Sequence, residues 1–214
     1  MTEARLLAAC PAVLYVVYTP GPEAEAKGYE PWLVEIDNPF FNAIPGMHHY
    51  ANWKLDRVLA GEPPYAWFDF QGLAKEADLE RVWFNPDLDR FRIEWVRLWG
   101  YGMGKPPAVQ ANGYLMRPVY QTDHAATRFA LVTGGTGAPP AGADIAWQVH
   151  ETIRKHFSTG EKHAIWRLPS AQENPLGLDW LAVTYAATAD AAAAAYTPGA
   201  ESVAFVATLV AAPE

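Results

Sequence analysis

The sequence predicts an α+β fold: two tandem βαββαβ units whose sheets close into a pseudo-two-fold α+β barrel, with helices outside. Three observations carry this expectation. The chain repeats itself, because Tyr50-Ala-Asn-Trp53-Lys-Leu55 matches His163-Ala-Ile-Trp166-Arg-Leu168, and the same offset brings Trp67 onto Trp180. An offset differing by one brings Val16–Thr19 onto Ala130–Thr133. The order of strand-like and helix-like periods is also the same in both halves. Finally, strands 12–19, 65–70 and 203–210 are apolar on both alternations, which means that both sheet faces are buried.

In the first unit, residues 10–122, "AVLYVVYT" at 12–19 reads as a strand and "PGPEAEAKG" as a turn. A helix is expected over 29–44, where Pro31 suits the first turn and Pro39 marks a kink or break. Strands follow at 47–55 and 65–71, separated by a loop around Gly61-Glu-Pro-Pro64. From 75 to 100 the sequence is helical and divides in two, because Asn85-Pro86-Asp87 is a stop followed by a start. A strand at 113–121 closes the unit. In the second unit, residues 123–214, strands are expected at 127–133, 161–168, 178–187 and 202–211, with helices at 143–158 and 189–196. Each unit is then a ferredoxin-like motif. Such a sheet has helices on one face only, and packing the two bare faces together closes the barrel.

Composition narrows the function. A net charge of −8 without a Lys/Arg cluster argues against nucleic acid as a partner. The apolar run "LLAACPAVLYVVY" is broken by Pro11 and too short to span a bilayer, so it reads as a strand and no membrane association is expected. A single cysteine, Cys10, excludes an intramolecular disulfide framework and fits a reducing cytoplasm. Nine tryptophans fill a core or line a pocket for a hydrophobic small molecule. No Cys/His spacing suits zinc, no metal site is expected, and no intrinsic cofactor is called for. Neither "GYGMGK" at 100–105 nor "VTGGTGAPPAGAD" at 132–144 has the context of a phosphate or nucleotide loop, and no Gly-x-Ser-x-Gly elbow is present.

The stretch Asp37-Asn-Pro39-Phe-Phe-Asn-Ala-Ile-Pro45-Gly46-Met-His-His-Tyr50 resembles the helix-to-strand junction of EthD-like and HapK-like (REDY-like) proteins, of the dimeric α/β-barrel superfamily. There an acidic residue or histidine, a spacer and proline end the first helix, and Pro-Gly leads into an aromatic-bearing strand. "YAWFDF" at 65–70 resembles the third strand of the same group. The motifs cover about residues 30–70, and the second half is similar in element order. The resemblance implies secondary-metabolite biosynthesis for HapK-like relatives and a role beside degradation of hydrophobic organics for EthD-like ones.

Candidate chemistry concentrates in the first unit. Strand neighbours point to opposite faces, so His48, Tyr50, Asn52 and Lys54 share one face and Met47, His49, Ala51, Trp53 and Leu55 the other. His48 and His49 therefore cannot chelate one ion together unless a bulge intervenes, and His150 and His156 on the expected helix make no ready pair. His48, Tyr50 and Asn52 give a buried sheet an unusually polar face, which is either a pocket or a solvated strand end. Asp69 sits among aromatics beside Trp67, and its repeat counterpart is Ala182, so the fold does not need a carboxylate there. Burial would raise its pKa and suit it to acid–base work. The catalytic candidates are thus His48, His49 and Asp69. The ligand-binding candidates are Tyr50, Asn52, Trp67, Tyr15 and Asp37, although Asp37 also suits a junction-bonding role and Tyr15 suits core packing.

The resulting expectation is a cofactor-independent enzyme acting on an aromatic or polyketide-like compound bound between sheet and helices of the first unit, with a histidine shuttling protons and Asp69 orienting it or serving as base. The alternatives are a non-catalytic binding or assembly protein, and a haem- or flavin-linked oxygenase. Either a monomer with an internal pseudo-dimer or a homodimer fits the repeat.

Overall fold

The computed structural model describes residues 5–100, 112–122, 126–153, 176–199 and 201–213. Eight antiparallel strands close a barrel: β1 (Ala12–Tyr18), β2 (Met47–Ala60), β3 (Trp67–Leu73), β4 (Asn112–Gln121), β5 (Phe129–Gly135), β6 (Ile145–Thr152), β7 (Trp180–Ala186) and β8 (Glu201–Ala211). Their order around the wall is β1-β3-β2-β8-β5-β7-β6-β4. The closed ring leaves no open sheet edge, and one chain completes it. Among the described residues the helices lie outside the barrel: α1 (Tyr29–Trp32), a π-helical turn (Leu33–Asp37), α2 (Asn38–Asn42), α3 (Leu79–Trp83), α4 (Pro86–Trp99) and α5 (Ala189–Ala194).

The period of two explains where the core lies. Alternate residues of β1 and β3 (Val13, Tyr15, Val17, Phe68 and Phe70) join Trp53, Trp147 and Phe205 in the cluster that fills the barrel. The intervening residues (Leu14, Val16, Tyr18, Trp67 and Leu73) pack in a second cluster with Tyr29, Leu33 and Phe41 of the first helix. Every residue of β1 and β3 is buried, as apolarity on both alternations predicts. Gly72 permits a close approach inside this wall, since a Cβ there would stand 2.3 Å from Cys10 Sγ.

The helical readings need three corrections. Residues 145–152, inside the helix expected at 143–158, form strand β6, paired with β4 and β7. In "IAWQVHET" the apolar Ile145, Trp147 and Val149 alternate with Ala146, Gln148 and His150, and that period of two outweighs the helical reading. The connection from β5 to β6, residues 136–144, contains turns and bends and no helix. The strand expected at 161–168 lies outside the described residues, as do most of 100–105 and the segment matched to Tyr50–Leu55. At Pro39, finally, the helix does not break. It widens upstream into the π turn, where the Asn38 N–H bonds the carbonyl of Leu33, and α2 continues through the proline. Pro39 has no N–H to give, and the wider turn absorbs its ring. The division at Asn85 stands as expected, with its side chain capping α4 through the Asp87 N–H at 2.9 Å.

Candidate functional site

The widened turn determines where the first helix presents its polar groups. Tyr29, Leu33, Asp37 and Phe41 recur at every fourth position and are all buried against the outer face of β1, β3 and β2. Asp37 is thereby driven onto the sheet, with only 2% of its surface exposed. Opposite it the register stacks three rows on the outer face: Leu14–Gln71–Tyr50, Val16–Asp69–Asn52 and Tyr18–Trp67–Lys54.

Two carboxyl groups meet in this layer. Tyr50 Oη lies 2.7 Å from Asp37 Oδ2 and 3.0 Å from Asp69 Oδ2. Asn52 Nδ2 donates to Asp37 Oδ2 at 2.9 Å and to Asp69 Oδ1 at 3.0 Å, and the Tyr18 hydroxyl donates to Asp69 Oδ1 at 3.0 Å. Asn38 holds Asn52 in turn, donating to its Oδ1 at 3.0 Å. The backbone of Tyr50 is fixed as well. β8 ends opposite Asn52, and beyond that point Asn42 takes the place of a strand, accepting from the Tyr50 N–H at 2.9 Å and donating to its carbonyl at 3.0 Å.

The proton count of this arrangement is constrained. Tyr50 has one hydroxyl hydrogen and two carboxyl neighbours, so the second short contact needs a proton on a carboxyl. Electrostatics agree with the geometry. Burial pushes Asp37 up to about 7, against the lowering effect of the Tyr50 and Asn52 hydrogen bonds. Burial and the nearby Asp37 charge push Asp69 well above the ordinary carboxylate range. Near neutrality the pair therefore retains a proton, and Tyr50, itself raised by burial, keeps its own. The layer consequently offers an acid and a base side by side, enclosed by Tyr29, Trp67 and Phe41.

Of the residues singled out from sequence, Tyr50, Asn52, Asp37 and Asp69 are brought together, with Trp67 in the adjoining row. Trp67 is packed edge-on to Tyr29 at 5.1 Å and lies under Lys54, whose ammonium is held by Glu25 and Glu30. The histidines and Tyr15 are not brought to this site. A β-bulge between Met47 and His49 makes His48 the extra residue, so Met47 packs in the outer layer while His49 pairs with Gly72 on the barrel side. Met47 and His49 thus do not share a face as strict alternation predicts, and His49 does not face Asp69. His49 is buried and lies 2.7 Å from the carbonyl of Arg5, which requires the hydrogen on Nδ1. Burial lowers it to about 4, so it is neutral at pH 7. His48 is half-buried. Tyr15 points into the barrel, where its hydroxyl pairs with that of Tyr65 at 2.6 Å among Phe68, Phe70 and Tyr114.

Sequence reasoning missed Asn38, Asn42, Gln71 and Tyr18 as members of this layer. The i,i+4 spacing of Asn38 and Asn42 on a helix beginning beside Asp37 is a signal that could have found the first two. Among the described residues, no group of three or more His, Cys, Asp or Glu side chains could hold a metal ion. No described helix is long and apolar enough to cross a membrane.

No family model matches the chain, and no curated protein matches it. Among solved structures, the chain is similar to a crystal structure of an anthrone oxidase-like protein, with a TM-score of 0.47 at 10% identity, over 94% of this chain and 92% of that one.

Proposed function

We propose that the protein is an acid–base enzyme that moves protons on a hydrophobic aromatic or polyketide-like compound, with Asp37 and Asp69 as the working pair. The observation that carries this reading is the Tyr50 hydroxyl set between two buried carboxyls, within hydrogen-bond distance of both. Asp37, ionised, takes the proton of an enol or phenol O–H. Asp69, protonated, delivers its own to a ring carbon, and the net change is a keto–enol tautomerisation. Tyr50 then restores the pair by accepting from Asp37 and donating to Asp69, so no proton is gained or lost. Asn52 orients both carboxyls, and Tyr18 and Trp67 provide the aromatic wall. The reading divides the chain into tandem ferredoxin-like units, 10–122 and 123–214, the first bearing the chemistry. The matching strand orders β4-β1-β3-β2 and β8-β5-β7-β6 support this division. The likeness of residues 30–70 to EthD-like and HapK-like proteins supports an aromatic or polyketide-like substrate.

A second reading, binding without reaction, is favoured by one fact: Tyr18, Tyr50 and Asn52 already engage the carboxyl pair from the protein side. Deuterium exchange separates the two. Hydroxylated naphthalenes incubated with the protein in D2O at neutral pH should exchange ring C–H well above the buffer rate, and Asp69→Asn and Asp37→Asn should each abolish the excess. Binding without exchange would leave the second reading standing, and the absence of both would remove the pair from any role toward such compounds.

A further inference from the structure

On the outer face, the row next to Asp69 and Asn52 contains one polar side chain that the network leaves out. Gln71 pairs in register with Tyr50 on one side and Leu14 on the other, and shares its face with Asp69 two residues away. It is 4% exposed, and its Oε1 is buried without a hydrogen-bond partner among the described residues. Its polar neighbours on this face are all engaged: Tyr50 and Asn52 with both carboxyls, Asp69 with Tyr18. Leu14 and Leu73 lie beside it, so an aliphatic residue would pack at this position without burying an unpaired acceptor. An unpaired buried carbonyl one row from a proton-transfer pair is what a site needs to recognise a donor on its ligand.

We infer that Gln71 is a specificity-determining residue of the proposed site, accepting a hydrogen bond from a second hydroxyl of the substrate. The inference rests on the reading of the Asp37–Asp69 pair as the reacting groups. Residues two apart on a strand are separated by roughly 7 Å. The hydroxyl that Gln71 reads therefore belongs to a neighbouring ring, not to the carbon that receives the proton. The substrate class is a fused-ring aromatic with two oxygen functions on different rings, one reacting at the pair and the other donating to Gln71.

The test compares three probes on the full chain: a naphthol with one hydroxyl, a dihydroxynaphthalene with hydroxyls on opposite rings, and its monomethyl ether, which accepts at that position but cannot donate. Both deuterium exchange and quenching of tryptophan fluorescence are measured, so binding is read separately from reaction. The wild-type protein should favour the diol over the other two by about tenfold or more in kcat/KM and in affinity. In Gln71→Leu, and in Gln71→Met as a second packing-compatible variant, that ratio should fall to within about twofold. Tyr65→Phe, inside the barrel, should leave the ratio unchanged. Exchange with no preference for the diol, or a preference that survives both variants, overturns the assignment of Gln71 and leaves the acid–base reading intact. A Gln71-dependent binding preference without exchange overturns the acid–base reading and keeps Gln71 as a recognition residue. Absence of both binding and exchange overturns both.

Discussion

Asn52 and Asp69 face each other across β2 and β3, and Ala146 and Ala182 face each other across β6 and β7. The two pairs occupy equivalent places. Asp69 and Ala182 each lie two residues beyond a tryptophan, Trp67 or Trp180, on β3 between β1 and β2 and on β7 between β5 and β6. Inside the barrel the halves agree, since the residue after Asn52 is Trp53, the residue after Ala146 is Trp147, and both fill the core. Outside they differ. The alanines form a small buried cluster with Trp180, whereas the first half buries two carboxyls and an amide there. The wall closes around either pair, so the polar one is not a requirement of the barrel. A buried carboxyl pair is tolerated only where a proton and hydrogen bonds offset its cost, and here Tyr18, Tyr50 and Asn52 supply the hydrogen bonds.

Transplanting one pair onto the other should break the comparison most sharply. Asn52→Ala with Asp69→Ala gives the first half the second half's residues, and should lower naphthol exchange by about 10²–10⁴-fold while circular dichroism shows the fold retained. Next in size is the pH dependence of stability. Asp37 is raised from 3.8 to about 7, so its proton stabilises the native state most at pH below 4, and this contribution is lost as pH rises through about 7. His49, lowered from 6.5 to about 4, contributes in the opposite sense: its share is present above pH 6.5 and lost as pH falls through about 4. Urea midpoints between pH 4 and 7 should therefore fall with rising pH more steeply in His49→Gln than in wild type, and less steeply in Asp37→Asn. Differences on the order of a few kcal/mol are expected.

Smaller effects sharpen the picture. Tyr50→Phe removes the bridging hydroxyl from a buried pair and should cost about 1–3 kcal/mol in urea unfolding, together with loss of exchange. Tyr65→Phe breaks the Tyr15–Tyr65 hydroxyl pair inside the barrel and should cost about 0.5–1.5 kcal/mol, with exchange unaltered. An effect on exchange as large as that of Tyr50→Phe would move the working site into the barrel.

Much of this geometry is legible in the sequence because a strand's period of two is rigid. Alternation alone puts Tyr50 with Asn52 and Trp67 with Asp69, and apolarity on both alternations of β1 and β3 predicts two buried faces. Local irregularities hide the rest. The bulge at His48 redirects one histidine, and no local pattern announces an extra residue in a ladder. The π turn before Pro39 brings Asp37 to the sheet where a kink or break is the simpler expectation from a helical proline. In β6, the alternation of Ile145, Trp147 and Val149 is short, and a helical period fits the same stretch. Gln71 was invisible because an orphaned acceptor is defined by what surrounds it in space.

The central claim is that the buried Asp37–Asp69 pair retains a proton at neutral pH. Infrared spectroscopy of protein carrying isotope-labelled aspartate measures this directly, through the carbonyl stretch of a protonated carboxyl. At pH 7 the account predicts a protonated aspartate band that weakens in Asp69→Asn, and whose ionisation at higher pH is altered in Asp37→Asn. A spectrum at pH 7 with every aspartate ionised, the same in wild type and Asp69→Asn, would contradict it.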